Sequence, residues 1–309
     1  MRPVLRQVLV MSLLASFVSA APPLTKTIDH VDEYHGVKVP DPYRWLEDDV
    51  RTSKEVAAWV TAQNEVTFSF LESIPQRKGI QQRLTELWNY ERVSPPSQSG
   101  GRYFYSKNDG LQNQSVLYVM DSLTAVPRVL IDPNTWSKDG TVALGTVKIS
   151  PDGRYAAFGR QEAGSDWSNF QILEVEDGRQ LADELKWIKF SSPEWTPDGS
   201  GFFYSRFPAP EEGQAFQNLN LNQQVYFHRV GTAQSDDILV YHRPDHPDWT
   251  FHSTVSEDGR YLILTIMVGT DDRYRVYYKD LSQPLGLPQA LIDNFDREFR
   301  EFRTASVMH

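Results

Sequence analysis

The chain has 309 residues, a formal charge of −10, 40% hydrophobic and 12% aromatic residues, and no cysteine. A chain of this size and apolar content can bury a substantial core, which it must hold by packing alone, without disulfides, thiol chemistry or cysteine-ligated metals. The acidic balance and the absence of any basic cluster argue against a nucleic-acid partner, because phosphate binding needs a basic face.

Residues 1–20 have the layout of a secretory signal: Arg2 and Arg6 precede an apolar run from Val8 to Val18, and Val18-Ser19-Ala20 offers small residues for cleavage. That run is well short of the roughly 20 residues that span a bilayer. The expectation is cleavage near Ala20, a secreted or periplasmic protein, and no membrane association once the leader is gone. Removing Arg2 and Arg6 from the 31 basic residues leaves 29 against 41 acidic ones, a charge of −12 that serves solubility.

Next comes an arm, Tyr34-His35-Gly36-Val37-Lys38-Val39-Pro40-Asp41-Pro42-Tyr43-Arg44-Trp45-Leu46-Glu47-Asp48. Pro40 and Pro42 fix φ and push the residues before them toward extended conformations, so the arm is rigid and non-helical. Tyr43, Trp45 and Leu46 carry apolar area that is costly to leave in water, which predicts that the arm docks on something. Glu47, Asp48 and Asp49 form a solvated acidic approach to a helix, where the helix dipole favours negative charge.

Two helices follow. Val56, Trp59, Val60, Phe68 and Leu71 recur near a 3.6-residue period after the plausible N-cap Ser53, until Ile74-Pro75 interrupts. A second helix is predicted from Gly79 to Tyr90, with Ile80, Leu84, Leu87 and Trp88 on one side, and Ser94-Pro95-Pro96-Ser97 ends helical structure.

Beyond Gly100 the sequence becomes short strands and turns built on one device. Ser99-Gly100-Gly101-Arg102-Tyr103, Ser150-Pro151-Asp152-Gly153-Arg154-Tyr155, Thr196-Pro197-Asp198-Gly199-Ser200-Gly201-Phe202 and Ser256-Glu257-Asp258-Gly259-Arg260-Tyr261 each lead a Gly-containing polar turn into an aromatic, β-branched strand. The aligned glycines Gly101, Gly153, Gly199 and Gly259 are 52, 46 and 60 residues apart, a period that fits one four-stranded β-propeller blade per repeat. The strand pairs expected are 103–106 with 115–120, 155–159 with 170–175, 202–206 with 224–229, and 261–268 with 273–278. The fold class read from the sequence is therefore mainly β: a partial β-propeller of about four blades, preceded by a signal peptide and a short helical segment.

Catalytic chemistry is not visible in the residues themselves. An α/β-hydrolase nucleophile needs a Gly-x-Ser-x-Gly elbow, and none is present; Gly199-Ser200-Gly201 has the wrong spacing and sits in a blade turn, so Ser200 reads as structural. The segment His242-Arg243-Pro244-Asp245-His246-Pro247-Asp248-Trp249-Thr250-Phe251-His252 holds three imidazoles and two carboxylates that zinc could use. Its two prolines mark it instead as an inter-blade connection. Asp271 and Asp272 read as a turn. No metal site, cofactor or phosphate loop is assigned.

The arm from Tyr34 to Asp48 resembles the N-terminal signature of the prolyl oligopeptidase family of serine peptidases. Gly110-Leu111-Gln112-Asn113-Gln114 with Val116-Leu117-Tyr118-Val119, Asp139-Gly140-Thr141-Val142-Ala143-Leu144, Gly164-Ser165-Asp166-Trp167 and Leu291-Ile292-Asp293-Asn294-Phe295 also look like segments of that family, so the likeness runs from about His30 to Phe295. Oligopeptidase B, of a sister family, shares the arm but matches these inner segments less well. The resemblance implies an α/β-hydrolase capped by a seven-bladed propeller that restricts access to short peptides, which are cut after proline by a Ser-Asp-His triad. It places the triad in a C-terminal part not contained in this chain, so no catalytic residue is assigned here. The family's aromatic substrate contact aligns near Ile172; Phe170 stands two residues earlier on the same strand face, and both are candidate substrate-binding residues, with a place in the blade core as the competing reading.

The organisation expected is a leader at 1–20, an arm and helices at 21–96 that pack on the absent hydrolase domain, an incomplete propeller at 97–299, and an irregular tail at 300–309. The partners implied are short proline-containing peptides in the full enzyme and the absent hydrolase domain. The chain alone is expected to be inactive and, with an open ring, prone to aggregation. The alternative reading is a stand-alone propeller-type module that binds a peptide or protein.

Overall fold

The computed structural model describes residues 21–298 except 163, 217–218 and 284–285. The leader at 1–20 and the tail at 300–309 lie outside the described residues. The chain divides into two compact units, with the boundary between Leu87 and Trp88.

In the first unit, β1 (Val31–Tyr34) and β2 (Val37–Pro40) form a two-stranded hairpin around His35 and Gly36, both with positive φ. A short 3-10 turn at Arg44–Glu47 follows, then the 20-residue helix α1 (Lys54–Ser73) and α2 (Arg77–Trp88). Ser53 caps α1 by accepting the Val56 N–H, and the helix stops at Ile74, which precedes proline and has swung to extended φ/ψ. The arm lies along α1. The Trp45 indole donates to the Lys26 carbonyl at 2.8 Å, and its ring meets Trp59 edge to face at 6.4 Å. The Trp59 indole in turn donates to Thr25 Oγ1 at 3.0 Å. No helix among the described residues is long and apolar enough to cross a membrane.

The second unit consists of four antiparallel sheets in sequence, which we number as blades I to IV. Blade I contains β3 (Arg92–Val93), β4 (Ser97–Ser99), β5 (Arg102–Asn108), β6 (Val116–Met120) and β7 (Arg128–Ile131). Here β3 and β4 pair with the same edge of β5, so they are one strand broken where Pro95 and Pro96 supply no N–H. The sequence boundary at 96/97 falls inside this broken strand. Blade II is the meander β8 (Val142–Ile149), β9 (Tyr155–Glu162), β10 (Ser168–Glu174), β11 (Gln180–Ile188). Blade III is β12 (Glu194–Trp195), β13 (Gly201–Arg206), β14 (Gln224–Arg229), β15 (Ile238–Tyr241), and blade IV is β16 (Trp249–Val255), β17 (Tyr261–Val268), β18 (Arg275–Asp280), β19 (Gln289–Ile292). The eight strands expected from the repeats are the second and third strands of each blade. The partial propeller of about four blades is thus what the chain forms.

The core lies between blades, not inside them. Successive strand residues point to opposite faces, so β9 sends Ala156 and Phe158 toward blade I and Ala157 toward blade III. Likewise β13 sends Phe202 and Tyr204 toward blade II and Phe203 toward blade IV. Three clusters of buried side chains therefore weld four blades in a row. Both faces of a middle blade are apolar, which is why these strands read as runs such as Phe202-Phe203-Tyr204 instead of alternating with polar residues.

The four Gly-containing turns all join the first strand of a blade to the second. In blade IV, Ser256 Oγ bonds Asp258 Oδ1 at 2.6 Å and accepts the Tyr261 N–H at 2.9 Å, while Asp258 also accepts the Arg260 N–H at 3.0 Å. Ser150, Asp152, Arg154 and Tyr155 repeat this arrangement in blade II. Ser200 belongs to the equivalent turn of blade III, where both its N–H and its hydroxyl donate to Asp198.

Candidate functional site

Three connections converge at the other end of blades II and III, because in a meander the loop joining the second and third strands leaves at the same end as the link to the next blade. They are Gly164–Trp167 between β9 and β10, Lys189–Pro193 between β11 and β12, and the long segment from Phe207 to Gln223 between β13 and β14. Hydrogen bonds tie them together: the Phe207 N–H donates to the Trp187 carbonyl at 2.9 Å, and the Trp167 indole donates to the Ala215 carbonyl at 2.6 Å.

Between them lies a cleft of about 510 Å³ lined by Trp167, Phe207, Pro208, Pro210 and Leu219 among others. Trp167 is its centrepiece, meeting Trp187 and Phe207 edge to face at 5.7 and 6.3 Å. The Lys189 ammonium stands 4.0 Å from the Trp167 ring centre and donates to Asn220 Oδ1 at 2.9 Å. Burial pushes the Lys189 pKa down, with the charge of Asp166 acting the other way. A cation held between an aromatic face and an amide oxygen keeps its charge without full hydration.

Two further observations single out this end. Trp187, Phe190 and Asn222 have φ of 64°, 54° and 62°, a left-handed conformation that is costly for bulky side chains and that clusters where structure serves function. Large apolar side chains also stand in solvent here: Phe190 is 60% exposed and Leu219 80% exposed. Exposed apolar surface rimmed by polar groups marks an interaction face.

The two candidate substrate contacts occupy a different place. Phe170 and Ile172 do share one face of β10, as alternation requires, but both are fully buried, packed with Leu185, Ile188, Phe202 and Tyr204 between blades II and III. The Phe170 ring lies 6.2 Å from that of Tyr204. Neither lines the cleft. The residues that do line it, Trp167 and Phe207 above all, were not chosen from the sequence as site residues, although Trp167 belongs to the Gly164–Trp167 segment quoted for the family likeness.

The cleft offers aromatic surface, prolines, amides and the carboxylate of Glu211, with the Lys189 ammonium behind Trp167 and Asn220; this suits an extended peptide segment, and no nucleophile–base pair stands among its described lining residues. The segment from His242 to His252 links β15 to β16: Arg243 forms a two-pronged ion pair with Asp245, and the His246 ring stacks on Trp249 at 4.1 Å. Asp271 pairs with Arg273 in the turn between β17 and β18.

Known proteins account for this architecture. The family described as prolyl oligopeptidase, N-terminal beta-propeller domain, matches residues 22–304. The prolyl endopeptidase of Elizabethkingia meningoseptica is 39% identical over 259 residues, covering 84% of this chain and 36% of that protein. Prolyl oligopeptidase A of Amanita bisporigera is 36% identical over 292 residues, covering 84% of this chain and 38% of that protein. A solved structure of prolyl oligopeptidase B from Galerina marginata, bound to a 35mer hydrolysis and macrocyclization substrate, superposes with a TM-score of 0.80 at 30% identity, covering 92% of this chain and 43% of its own. The chain thus spans about two fifths of the length of the relatives it matches. It belongs to the prolyl oligopeptidase family, of which it comprises the N-terminal β-propeller region.

Proposed function

We propose that this chain is the propeller-bearing portion of a serine endopeptidase that hydrolyses short peptides after proline, and that its propeller limits which substrates reach the catalytic centre. The observation that carries the reading is the cleft end of blades II and III, where aromatic rings, prolines, strained backbone and exposed apolar side chains gather on one face. That face meets the hydrolase domain and the peptide. Phe170 and Ile172 are kept as candidate substrate-binding residues, acting from within the blade II–III core in which both are buried. The chain alone has no prolyl-cleaving activity, and its leader directs it out of the cytoplasm.

Assaying the purified chain on a proline-containing fluorogenic peptide tests the inactivity; serine-inhibitor-sensitive turnover overturns it. Grafting residues 21–298 onto the catalytic part of the Elizabethkingia meningoseptica enzyme, in place of its own propeller region, tests the positive half. The expected result is cleavage after proline that falls when Trp167 is replaced by Ala, and a folded chimera that cleaves nothing refutes the proposal. In the same chimera, an unchanged kcat/KM for Phe170→Ala and Ile172→Ala removes those two residues from the substrate side. N-terminal sequencing of the exported protein, expected to begin at Ala21, tests the leader.

A further inference from the structure

Between blades II and III lies a sealed group of ionisable side chains that the peptidase reading does not use. His228 on β14 has its Nε2 2.9 Å from Asp183 Oδ1 of β11 and its Nδ1 2.7 Å from Asp237 Oδ1, and all three side chains are between 0% and 1% exposed. Asp183 and His228 are 45 residues apart and belong to different blades.

The heavy atoms place the hydrogens around this group. The main chain of Lys186 holds the Gln234 amide at both ends, its N–H donating to Oε1 and its carbonyl accepting from Nε2, each at 3.1 Å. With the amide so oriented, Gln234 Nε2 also donates to the Tyr204 hydroxyl at 3.1 Å, and the hydroxyl hydrogen is left to donate to Asp237 Oδ2 at 2.5 Å. On the other side Asp183 Oδ1 accepts the Gly231 N–H at 2.6 Å. Each acid thus already accepts one hydrogen bond, and as carboxylates both would accept a second from the ring. A neutral imidazole has one N–H and serves one of them; serving both takes the imidazolium. With both acids ionised, the group is a buried cation clamped between two anions, one from each blade.

The titratable groups presented to the ring are Asp183 from β11, Tyr204 from β13 and Asp237 from the segment between β14 and β15. Further along these elements stand Glu184 and Lys186, which pair with each other, Arg206 and Asp236; the Phe202 ring covers the imidazole at 5.3 Å. Burial works against the charge on His228, yet its bonds to Asp183 and Asp237 prevail and hold its pKa above the ordinary value. Burial likewise opposes ionisation of Asp183, and the bonds from His228 and the Gly231 N–H prevail to hold it below the ordinary value.

We propose that Asp183, His228 and Asp237 form a proton-dependent pin between blades II and III, closed while both ring nitrogens of His228 carry hydrogen and released when one is lost. A His whose folded pKa is raised stabilises fully below its unfolded value of about 6.5, and that stabilisation is lost as pH rises through the folded value. Asp183 acts in the opposite sense: its share is present above about 3.9 and is lost as pH falls through the lower folded value. The pin is shut between these limits and loosens on the alkaline side first. Because β11 carries Trp187 and leads into Lys189, both of which touch the Trp167 ring, loosening it also loosens the support of that ring at the cleft.

The first experiment needs no variant. In the isotope-labelled chain, NMR should show His228 titrating above 6.5, with both ring N–H groups present below the midpoint; a midpoint at or below 6.5 overturns the pin. Hydrogen exchange of residues 180–188, divided by intrinsic rates, should then speed up about tenfold per pH unit from about 6.5 to that midpoint and level off beyond it. A flat corrected profile also overturns the pin. Asp237→Asn, which removes one anion and keeps the shape, should move the His228 midpoint and the onset of exchange down in pH together. If the exchange onset stays put while the midpoint moves, His228 is only structural.

Discussion

The helical unit and the blades are made from similar amounts of apolar residue per length and use them in opposite ways. Among the described residues of the first unit, Val56 is the one buried hydrophobic side chain, while Phe68, Phe70, Ile80, Leu84 and Leu87 are all more than half exposed. The blades bury every large side chain of the three inter-blade clusters, several of them completely. The arm is held to α1 by indole hydrogen bonds and one edge-to-face ring pair, contacts that fix orientation while burying little area. Stability therefore resides in the blades, while the helices leave much of their apolar surface exposed.

The sharpest way to break this contrast is Phe202→Ala in the blade II–III cluster, which should cost about 3–5 kcal/mol in chemical denaturation followed by tryptophan fluorescence. Phe70→Ser, removing an equally large side chain from the exposed face of α1, should change stability by less than about 0.5 kcal/mol and lower the tendency to aggregate. Comparable losses from the two would mean that the helices contribute a core of their own. Gly259→Ala comes next. Its φ of 70° and the Pro197 ring, whose Cγ lies 2.0 Å from where a Cβ would be, should cost about 1–3 kcal/mol by thermal denaturation.

Ser256→Ala removes the acceptor of the Tyr261 N–H in the same turn and should cost about 1 kcal/mol, again confined to the blades. Ser53→Ala, the cap of α1, should cost about 1 kcal/mol of helix stability or less, read as lost helical circular dichroism with the blade transition unmoved. Acid sharpens the picture further. Hydrogen bonds from Thr196 and Ser200 hold the Asp198 carboxyl below its ordinary value, and Ser256 and the Arg260 N–H do the same for Asp258. Groups with depressed folded pKa stabilise above the unfolded value and lose that contribution as pH falls, so the blade transition should drop below about pH 4. Asp198→Asn with Asp258→Asn should flatten that drop.

The blades were legible because local chemistry announces them. A turn that needs Gly at positive φ and a Ser, Thr or Asp side chain to close it leaves a mark in a few adjacent letters, and four copies at a blade-length interval fix the repeat. The outer strands were harder to see: β12 is two residues long, and β11 alternates polar and apolar side chains because only its inner face is covered. The cleft was missed for a different reason. Left-handed φ at Trp187 and Phe190 is imposed by surroundings, not favoured by residue type, so no local pattern points to it. The pin is invisible for the same reason, since Asp183 and His228 meet only once two blades have stacked. Phe170 and Ile172 show the converse: alternation correctly placed them on one face but could not tell which neighbour that face meets.

The first-strand turns carry a consequence for how such chains can diversify. Gly153 packs against Gly100, Gly199 against the Asp152 carboxylate, and Gly259 against Pro197, so each turn is seated on the one before it. A tandem duplication of blade III would bring its own seat and its own glycine and could be accommodated. Transplanting blade IV to follow blade I would set Gly259 against a diglycine with no proline ring to fill the space. Insertions that copy a repeat in place are thus tolerated more readily than shuffling of the same repeats, which restricts the routes by which blade number and order can change.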